Sequence, residues 1–340
     1  MAHLGKWCKK DRILRFKLDR APYNVYSELQ CVYSTIHQRE NMKKQGSLKH
    51  MRVAFLKRMQ RYIDQLRRLN RLIHHSEIMD DGSIFVRLVN GLEFYGRYGP
   101  FSFEFENGYL YRNRVRDKLI GGSDYGSFYH ILKEIFIGKD YDIYYPLQRG
   151  DTVIDAGANI GLFTIKAGKE VGPEGRVIAI EPDETHLNFL RRNIEANRLT
   201  NIEIVPKGVW SEKIERNLYL YDNTGHHSLY SNEEFPKGCK QTGTVKLELD
   251  TIDNISGELG CKKVDFIKMD IEGAELEALA GAKEALSSND VKLAVAAYHR
   301  VHGEPTYKTL IPKLQQIGYE VHRIEGTIHA RNYLDSTRNS

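Results

Sequence analysis

The spacing of apolar residues changes twice along the chain. Between Leu48 and His74, Phe55, Met59, Tyr62, Leu66, Leu69 and Ile73 recur at alternating intervals of four and three. That is a heptad stripe, and it predicts one helix with Arg and Lys on its flanks, either docked on its own domain or paired in a short coiled coil. From Asp80 to Asn113 the period falls to two, in Ile84, Val86 and Leu88 and again in Phe101, Phe103 and Phe105. Asn-Gly pairs at 90–91 and 107–108 supply hairpin signals, so a small antiparallel unit is expected, followed by a helix around Phe128 to Phe136. From Asp151 onward, β-branched apolar runs alternate with amphipathic stretches, the pattern of a mostly parallel sheet with helices on both faces. Strands are predicted near 152–156, 176–181, 202–205, 264–270 and 291–298, and helices near 161–170, 184–197, 274–286 and 306–317. The chain thus divides into a basic helical extension at 1–79, a small β/α unit at 80–143 and a large α/β domain at 144–332.

Composition adds a charge asymmetry. The 340 residues are 41% apolar and 28% charged, an ordinary globular balance. The net charge is +5, yet residues 1–75 carry eighteen Lys and Arg against five Asp and Glu, which leaves the other 265 residues at −8. The basic segment suits a solvated helix face, nucleic acid or an anionic membrane surface, and residues 52–74 suit a homodimer contact. No apolar run is long enough to span a bilayer, and the first ten residues lack a signal-peptide core. Cys8, Cys31, Cys239 and Cys261 are too scattered for a metal or disulfide framework. A cytoplasmic protein with reduced thiols is the expectation.

The candidate chemistry gathers in the large domain. Val153-Ile154-Asp155 runs into Ala156-Gly157-Ala158-Asn159-Ile160-Gly161 and then a helix, the layout of a nucleotide-type crevice. Glycine suits that turn because a Cβ would block close approach of a ligand and because the turn can demand positive φ. The spacing of Gly157 and Gly161 departs from the three-glycine pattern that seats a pyrophosphate. Asp155 is therefore better matched to the cationic amino-acid part of S-adenosylmethionine than to phosphate. The next strand ends in Glu181-Pro182-Asp183, where the Glu181 carboxylate suits two ribose hydroxyls. Gly208, Val209 and Trp210 follow the third strand and are expected over the adenine end, with Trp210 either in that wall or in the core.

Three blocks carry a resemblance. Val153 to Gly161, Leu249-Asp250-Thr251-Ile252, and Val264-Asp265-Phe266-Ile267-Lys268-Met269-Asp270-Ile271-Glu272-Gly273-Ala274-Glu275 resemble the FkbM family of methyltransferases, over about residues 144–330. The resemblance implies a class I, Rossmann-like methyltransferase fold and methyl transfer from S-adenosylmethionine to a hydroxyl, several members acting on sugars of natural products or glycans. By position it implies that Asp155, Gly157, Asn159, Gly161 and Glu181 serve the cofactor. It also makes Asp270 to Glu275 the signature after the fourth strand. Tyr298-His299 is similar to a pair found in some members, and Gly225-His226-His227-Ser228 falls where the family varies.

The mechanism expected from these residues is simple. An acceptor oxygen must be aligned behind the methyl group, and a base must take its proton. Asp270 is the candidate base or metal ligand, with His299 supporting it and Glu272 or Glu275 completing a polar pocket. Glu275 also suits the first turn of the helix that follows. His299 and His302 form an H-x-x-H pair without a third ligand at metal-site spacing, which argues against zinc. A divalent cation such as Mg²⁺ suits the carboxylates. Two rival functions follow from the basic segment and the heptads: methylation of an RNA ribose, and a non-catalytic scaffold.

Overall fold

The structure is a computed structural model. It describes residues 68–97 other than 70, 103–106, 109–112, 128–138, 140–221, 229, 241–287, 290–324 and 326–332. Phe55, Met59, Tyr62 and Leu66 of the heptad stripe, nearly all of the basic segment, Phe101, and 225–228 lie outside these residues. Most of the predicted dimer contact at 52–74 and of the nucleic-acid or membrane surface falls there too, while Leu69 and Ile73 of the stripe are buried in the chain's own core. Among the described residues no helix is long and apolar enough to cross a membrane.

After helical residues at 68–69 and 71–72, the first described strands form an antiparallel sheet of β1 (Ile73–Ile78), β2 (Ser83–Leu88) and β3 (Glu93–Arg97). Strand β1 opens at Ile73, inside the predicted helical extension. The stripe's last residue pairs with Leu88 across the ladder, so sheet pairing overrides the helical period there. The Asn90-Gly91 signal makes its turn, with Gly91 at φ +84°. A second hairpin joins β4 (Phe103–Glu106) to β5 (Tyr109–Arg112). The predicted helix near 128 begins as α1 (Phe128–Leu132) and continues as a π-helical turn over Lys133–Gly138.

The large sheet holds β6 (Thr152–Ala156), β7 (Arg176–Ile180), β8 (Ile202–Val205), β12 (Phe266–Met269), β13 (Lys292–Ala296), β16 (Tyr319–Ile324) and β17 (Thr327–Asn332). Their order is β16-β17-β13-β12-β6-β7-β8. Only β17 runs antiparallel to its neighbours. Alternation along the strands splits the core into two faces. Val153, Val177 and Phe266 join one cluster with Ile84, Phe94, Leu132 and Phe163, while Ile154, Ile178 and Ile267 join another with Ile255, Ala278 and Leu310. The small antiparallel unit thus shares a core with the large domain. Helix α2 (Leu162–Val171) is buried along most of its length because that unit covers its outer side.

Helix α3 (Glu184–Ala196) starts at Asp183, whose side chain accepts from the Thr185 and His186 amides at 2.8 and 3.0 Å, an N-cap of about 1 kcal/mol. Between β8 and β12 the chain makes β9 (Gly208–Val209), a hairpin of β10 (Ile214–Tyr221) and β11 (Gln241–Asp250), and α4 (Ile252–Glu258). Asp250 explains the Leu-Asp-Thr-Ile block. Fully buried, it accepts from Lys207 Nζ at 2.9 Å, Thr251 N at 2.9 Å and Asn254 Nδ2 at 3.0 Å, fastening β9 to α4. The helix predicted at 274–286 is broken into α5 (Glu275–Ala280) and α6 (Lys283–Ser287). The break is at Gly281, where a Cβ would stand 2.2 Å from the Trp210 carbonyl oxygen. Helix α7 (Tyr307–Gln316), near the predicted 306–317, and two strands the sequence did not predict, β16 and β17, complete the fold; a hairpin of two-residue strands, β14 (Arg300–Val301) and β15 (Glu304–Pro305), precedes α7.

Candidate active site

The C-terminal ends of β6, β7 and β12 open on one crevice, a cavity of about 150 Å³. Its floor is the turn from β6 to α2, with Gly157, Asn159 and Gly161 at φ +78°, +53° and +90°. A Cβ on Gly157 would lie 2.0 Å from the Asp270 carbonyl oxygen, and one on Gly161 2.4 Å from Leu190 Cδ1. The glycines are thus required by the protein's own packing and backbone conformation. Glu181, at the end of β7, accepts from Asn159 N at 2.8 Å through one oxygen and from Asp183 N at 2.9 Å through the other. Its carboxylate is fixed at the wall of the crevice, with His186 Nδ1 also 3.4 Å from Oε1, while Oε2 keeps a further lone pair.

Of the residues singled out from sequence, Gly157, Asn159, Glu181, Pro182, Gly208, Val209, Asp270 and Glu272 line the crevice, and Asp155, Gly161, Trp210 and His299 do not. Asp155 is a correction. Fully buried, it accepts from Thr164 Oγ1 at 2.6 Å and pairs with Lys268 Nζ at 3.0 Å, so its charge is spent inside the protein. Lys268 also donates to the Gly157 carbonyl oxygen at 2.7 Å, and so holds the turn from beneath. Burial alone would lower the Lys268 pKa; Asp155 and Asp270 outweigh it and hold the ammonium above its usual value. Trp210 is likewise core, packed on Leu249 and Ala274 under the Arg216 guanidinium.

The polar end of the crevice is built on β12. Asp270 accepts from the Tyr141 hydroxyl at 2.9 Å. His299, beyond the end of β13, places Nε2 at 3.6 Å from Asp270 Oδ1 and 3.5 Å from Glu272 Oε2. Its Nδ1 is 2.8 Å from Glu275 Oε1. Glu275, fully buried, also accepts from the Ile271 and Gly273 amides at 3.2 Å each, so it braces the turn before α5 and the histidine together. Burial pulls the His299 pKa down, but Glu275, Glu272 and Asp270 outweigh it and raise it. Burial, with Asp270 and Glu275 adding to it, raises that of Glu272 against the opposing His299. Burial also holds Tyr141 well above the ordinary phenol range, and the Asp270 charge does the same to Tyr298. Sequence reasoning missed Tyr141 and Lys268. The signal for Lys268 was a lysine inside an apolar strand; Tyr141 offered none, because its segment lies before the predicted domain boundary at 144.

A sheet in this order, with a glycine turn after its first strand and a carboxylate after its second facing one crevice, defines a class I methyltransferase fold. Residues 155–321 match the methyltransferase FkbM domain. Over 165 residues the chain is 29% identical to Methyltransferase 1 of Beauveria bassiana, covering 44% of this chain and 66% of that protein. It is 31% identical over 179 residues to Methyltransferase sdnD of Sordaria araneosa, covering 45% and 68%. To the 31-O-demethyl-FK506 methyltransferase FkbM of Streptomyces tacrolimicus it is 26% identical over 203 residues, covering 52% and 77%. The match spans about two thirds of the length of each fungal relative. The chain belongs to the FkbM family of methyltransferases.

Proposed function

We propose that the chain transfers a methyl group from S-adenosylmethionine to a hydroxyl oxygen of a sugar, glycan or similar natural product. The observation that carries this reading is the carboxylate of Asp270, which lines the crevice at the end of β12 and is held by the Tyr141 hydroxyl at 2.9 Å. The donor set fits the methyl donor: Glu181 offers fixed acceptors for ribose hydroxyls, and Val209, Leu249 and Ile180 give apolar walls for a base. S-adenosylmethionine, when bound, supplies a methyl group on a sulfonium that needs no further activation. The residues of this chain then have to orient the acceptor, exclude water and take a proton.

Asp270 suits the last task. Tyr141 fixes its rotamer through one oxygen, and the neighbouring His299 offsets the charge of the carboxylates around it. Family kinship supports the reaction class, and the Streptomyces relative, a 31-O-demethyl-FK506 methyltransferase, is named for an oxygen target. Calorimetric titration with S-adenosylmethionine, beside a Glu181→Ala variant, tests the crevice: saturable binding that weakens in the variant is expected. Transfer of labelled methyl to a panel of hydroxyl acceptors then tests the chemistry. Asp270→Asn is expected to keep donor binding and lose about a hundred-fold or more in turnover. Unchanged turnover would remove Asp270 as the base, and absence of donor binding would remove the whole reading.

A further inference from the structure

We infer that Asp270, Glu272 and His299 form a binding site for a divalent transition cation of the Mn²⁺ class. One ligand atom from each lies within 4.8 Å of the others. The His299 Nε2 separations of 3.6 and 3.5 Å are too long for hydrogen bonds. They approach the separation of about 3.0–3.4 Å between ligand atoms that share one ion at roughly 2.1 Å.

Two independent features point at the same spot. The His299 side chain is only 9% exposed, and its Nε2 and the Asp270 Oδ1 are both buried with no hydrogen-bond partner. Buried polar atoms are rarely left so, and here two of them converge. On the far side of the ring, Glu275 takes Nδ1 at 2.8 Å and is itself anchored by two backbone amides. A carboxylate behind a histidine, fixing its tautomer and leaving Nε2 to face two more carboxylates, is the outer support that metal-ligating histidines have. Glu272 sits at φ +55°, a conformation costing a glutamate about 1 kcal/mol, and is held there.

Charge leads the same way. Three carboxylates, Asp270, Glu272 and Glu275, surround one imidazole, and the nearby Lys268 is already paired with Asp155. One imidazole nitrogen with two carboxylate oxygens favours Mn²⁺ or a similar ion over Mg²⁺, which prefers an all-oxygen shell. His302, the partner considered from sequence, is not in the group; adjacency of the parallel strands β12 and β13 supplies what H-x-x-H spacing did not. Asp270 and Glu272 line the crevice, so the open positions of the ion would face the acceptor and lower the pKa of its hydroxyl. That last role rests on the proposed function, whereas cation binding does not.

The test is titration of the full chain, stripped with chelator, with MnCl₂, following free Mn²⁺ by electron paramagnetic resonance. A single saturable site, filled well below millimolar, is expected. Nitrogen modulation in the spin-echo spectrum of the bound ion should be present, and should vanish in His299→Gln. Glu272→Gln, at a partly exposed carboxylate, should weaken binding at least about ten-fold, and Glu275→Gln by about 10- to 100-fold. Glu272→Gln carries the test should His299→Gln fail to fold. No uptake of Mn²⁺ at millimolar concentration, uptake without nitrogen modulation, or binding indifferent to Glu272→Gln would overturn the inference. Titration with S-adenosylmethionine in chelator separates the two readings: donor binding without Mn²⁺ uptake removes the cation alone, and Mn²⁺ uptake without donor binding removes the methyl-transfer reading alone.

Discussion

Asn193 joins three parts of the molecule, and its replacement distinguishes shape from hydrogen-bonding chemistry. Fully buried on α3, its amide oxygen accepts from Tyr95 N at 2.6 Å, and its amide nitrogen donates to the carbonyl oxygens of Tyr95 at 3.0 Å and Ile160 at 2.7 Å. One turn on, Asn197 repeats the pattern on Glu93, accepting from its amide at 3.0 Å and donating to its carbonyl at 2.6 Å. The two side chains pair with β3 as a neighbouring strand would, covering that edge, and the Ile160 bond carries the link into the crevice floor. Asn193→Ala removes three bonds at roughly 1 kcal/mol each, about 3 kcal/mol in all.

Asn193→Asp preserves the shape and should be worse. The new carboxylate can still accept from Tyr95 N, but it faces two carbonyl oxygens without a proton to give, at a fully buried position. The expected loss near neutral pH is roughly 4–5 kcal/mol. The folded-state pKa of that carboxylate must rise above the unfolded value of about 3.9, so the deficit is greatest at neutral pH and shrinks as pH falls through the raised folded value. Urea unfolding of both variants at pH values on either side of that window measures this, with the slopes checked for constancy. An Asp variant as stable as the Ala variant at neutral pH, or a deficit independent of pH, would refute the reasoning.

Three further perturbations test other parts of the molecule. Gly157→Ala sets a methyl against the Asp270 carbonyl oxygen at 2.0 Å and strains a φ of +78°, so donor affinity should fall and thermal unfolding should come earlier; an unaltered titration would show that the turn is slack. Lys268→Met leaves the Asp155 charge buried and the Gly157 carbonyl without its donor, for an expected loss of about 3–5 kcal/mol in denaturant titration. A loss as small as that from breaking the exposed Lys308–Glu304 pair would refute it. His329, 1% exposed and stacked on Tyr144, has its pKa lowered by burial to about 4, with Asp142 opposing and His322 adding. It stays neutral when folded while the unfolded residue protonates near 6.5, so stability should drop by roughly 2–3 kcal/mol as pH falls from 6.5 to 4. That part of the acid sensitivity should be missing from His329→Gln, and identical pH profiles for the two proteins would count against it.

What the sequence showed and what it hid divide along one physical line. Strand and helix positions in the large domain depend on periodicity within single segments, and 152–156 and 202–205 were placed to the residue. The proximity of Asp270 and His299 was also accessible, because consecutive parallel strands lie side by side. Asp155 was misassigned because its partner is on another strand: the parallel register sets Lys268 directly beside it, a two-strand fact that neither segment displays alone. Helix α5 ended early for a similar reason, since Gly281 answers to a carbonyl at residue 210 and not to its own helical neighbours.

The same register accounts for how the site is assembled. Phe266, Lys268 and Asp270 alternate with Ile267 and Met269, so they share the face of β12 turned toward the small antiparallel unit and the segment that follows it. Tyr141 comes from that segment and meets both charges, with its ring 5.4 Å from Lys268 Nζ and its hydroxyl on Asp270. Two buried networks consequently adjoin at the end of one strand. Lys268 runs inward to Asp155 and the glycine turn, and Asp270 runs outward to Tyr141, His299 and Glu275. Because residues on one strand face are spaced rigidly by the pleat, a change that shifts β12 moves the donor turn and the candidate base together. Tyr141→Phe breaks the Asp270 hydrogen bond while leaving the strand in place, and is therefore expected to slow turnover with little effect on S-adenosylmethionine affinity. An equal loss in both would show that the two networks are energetically one.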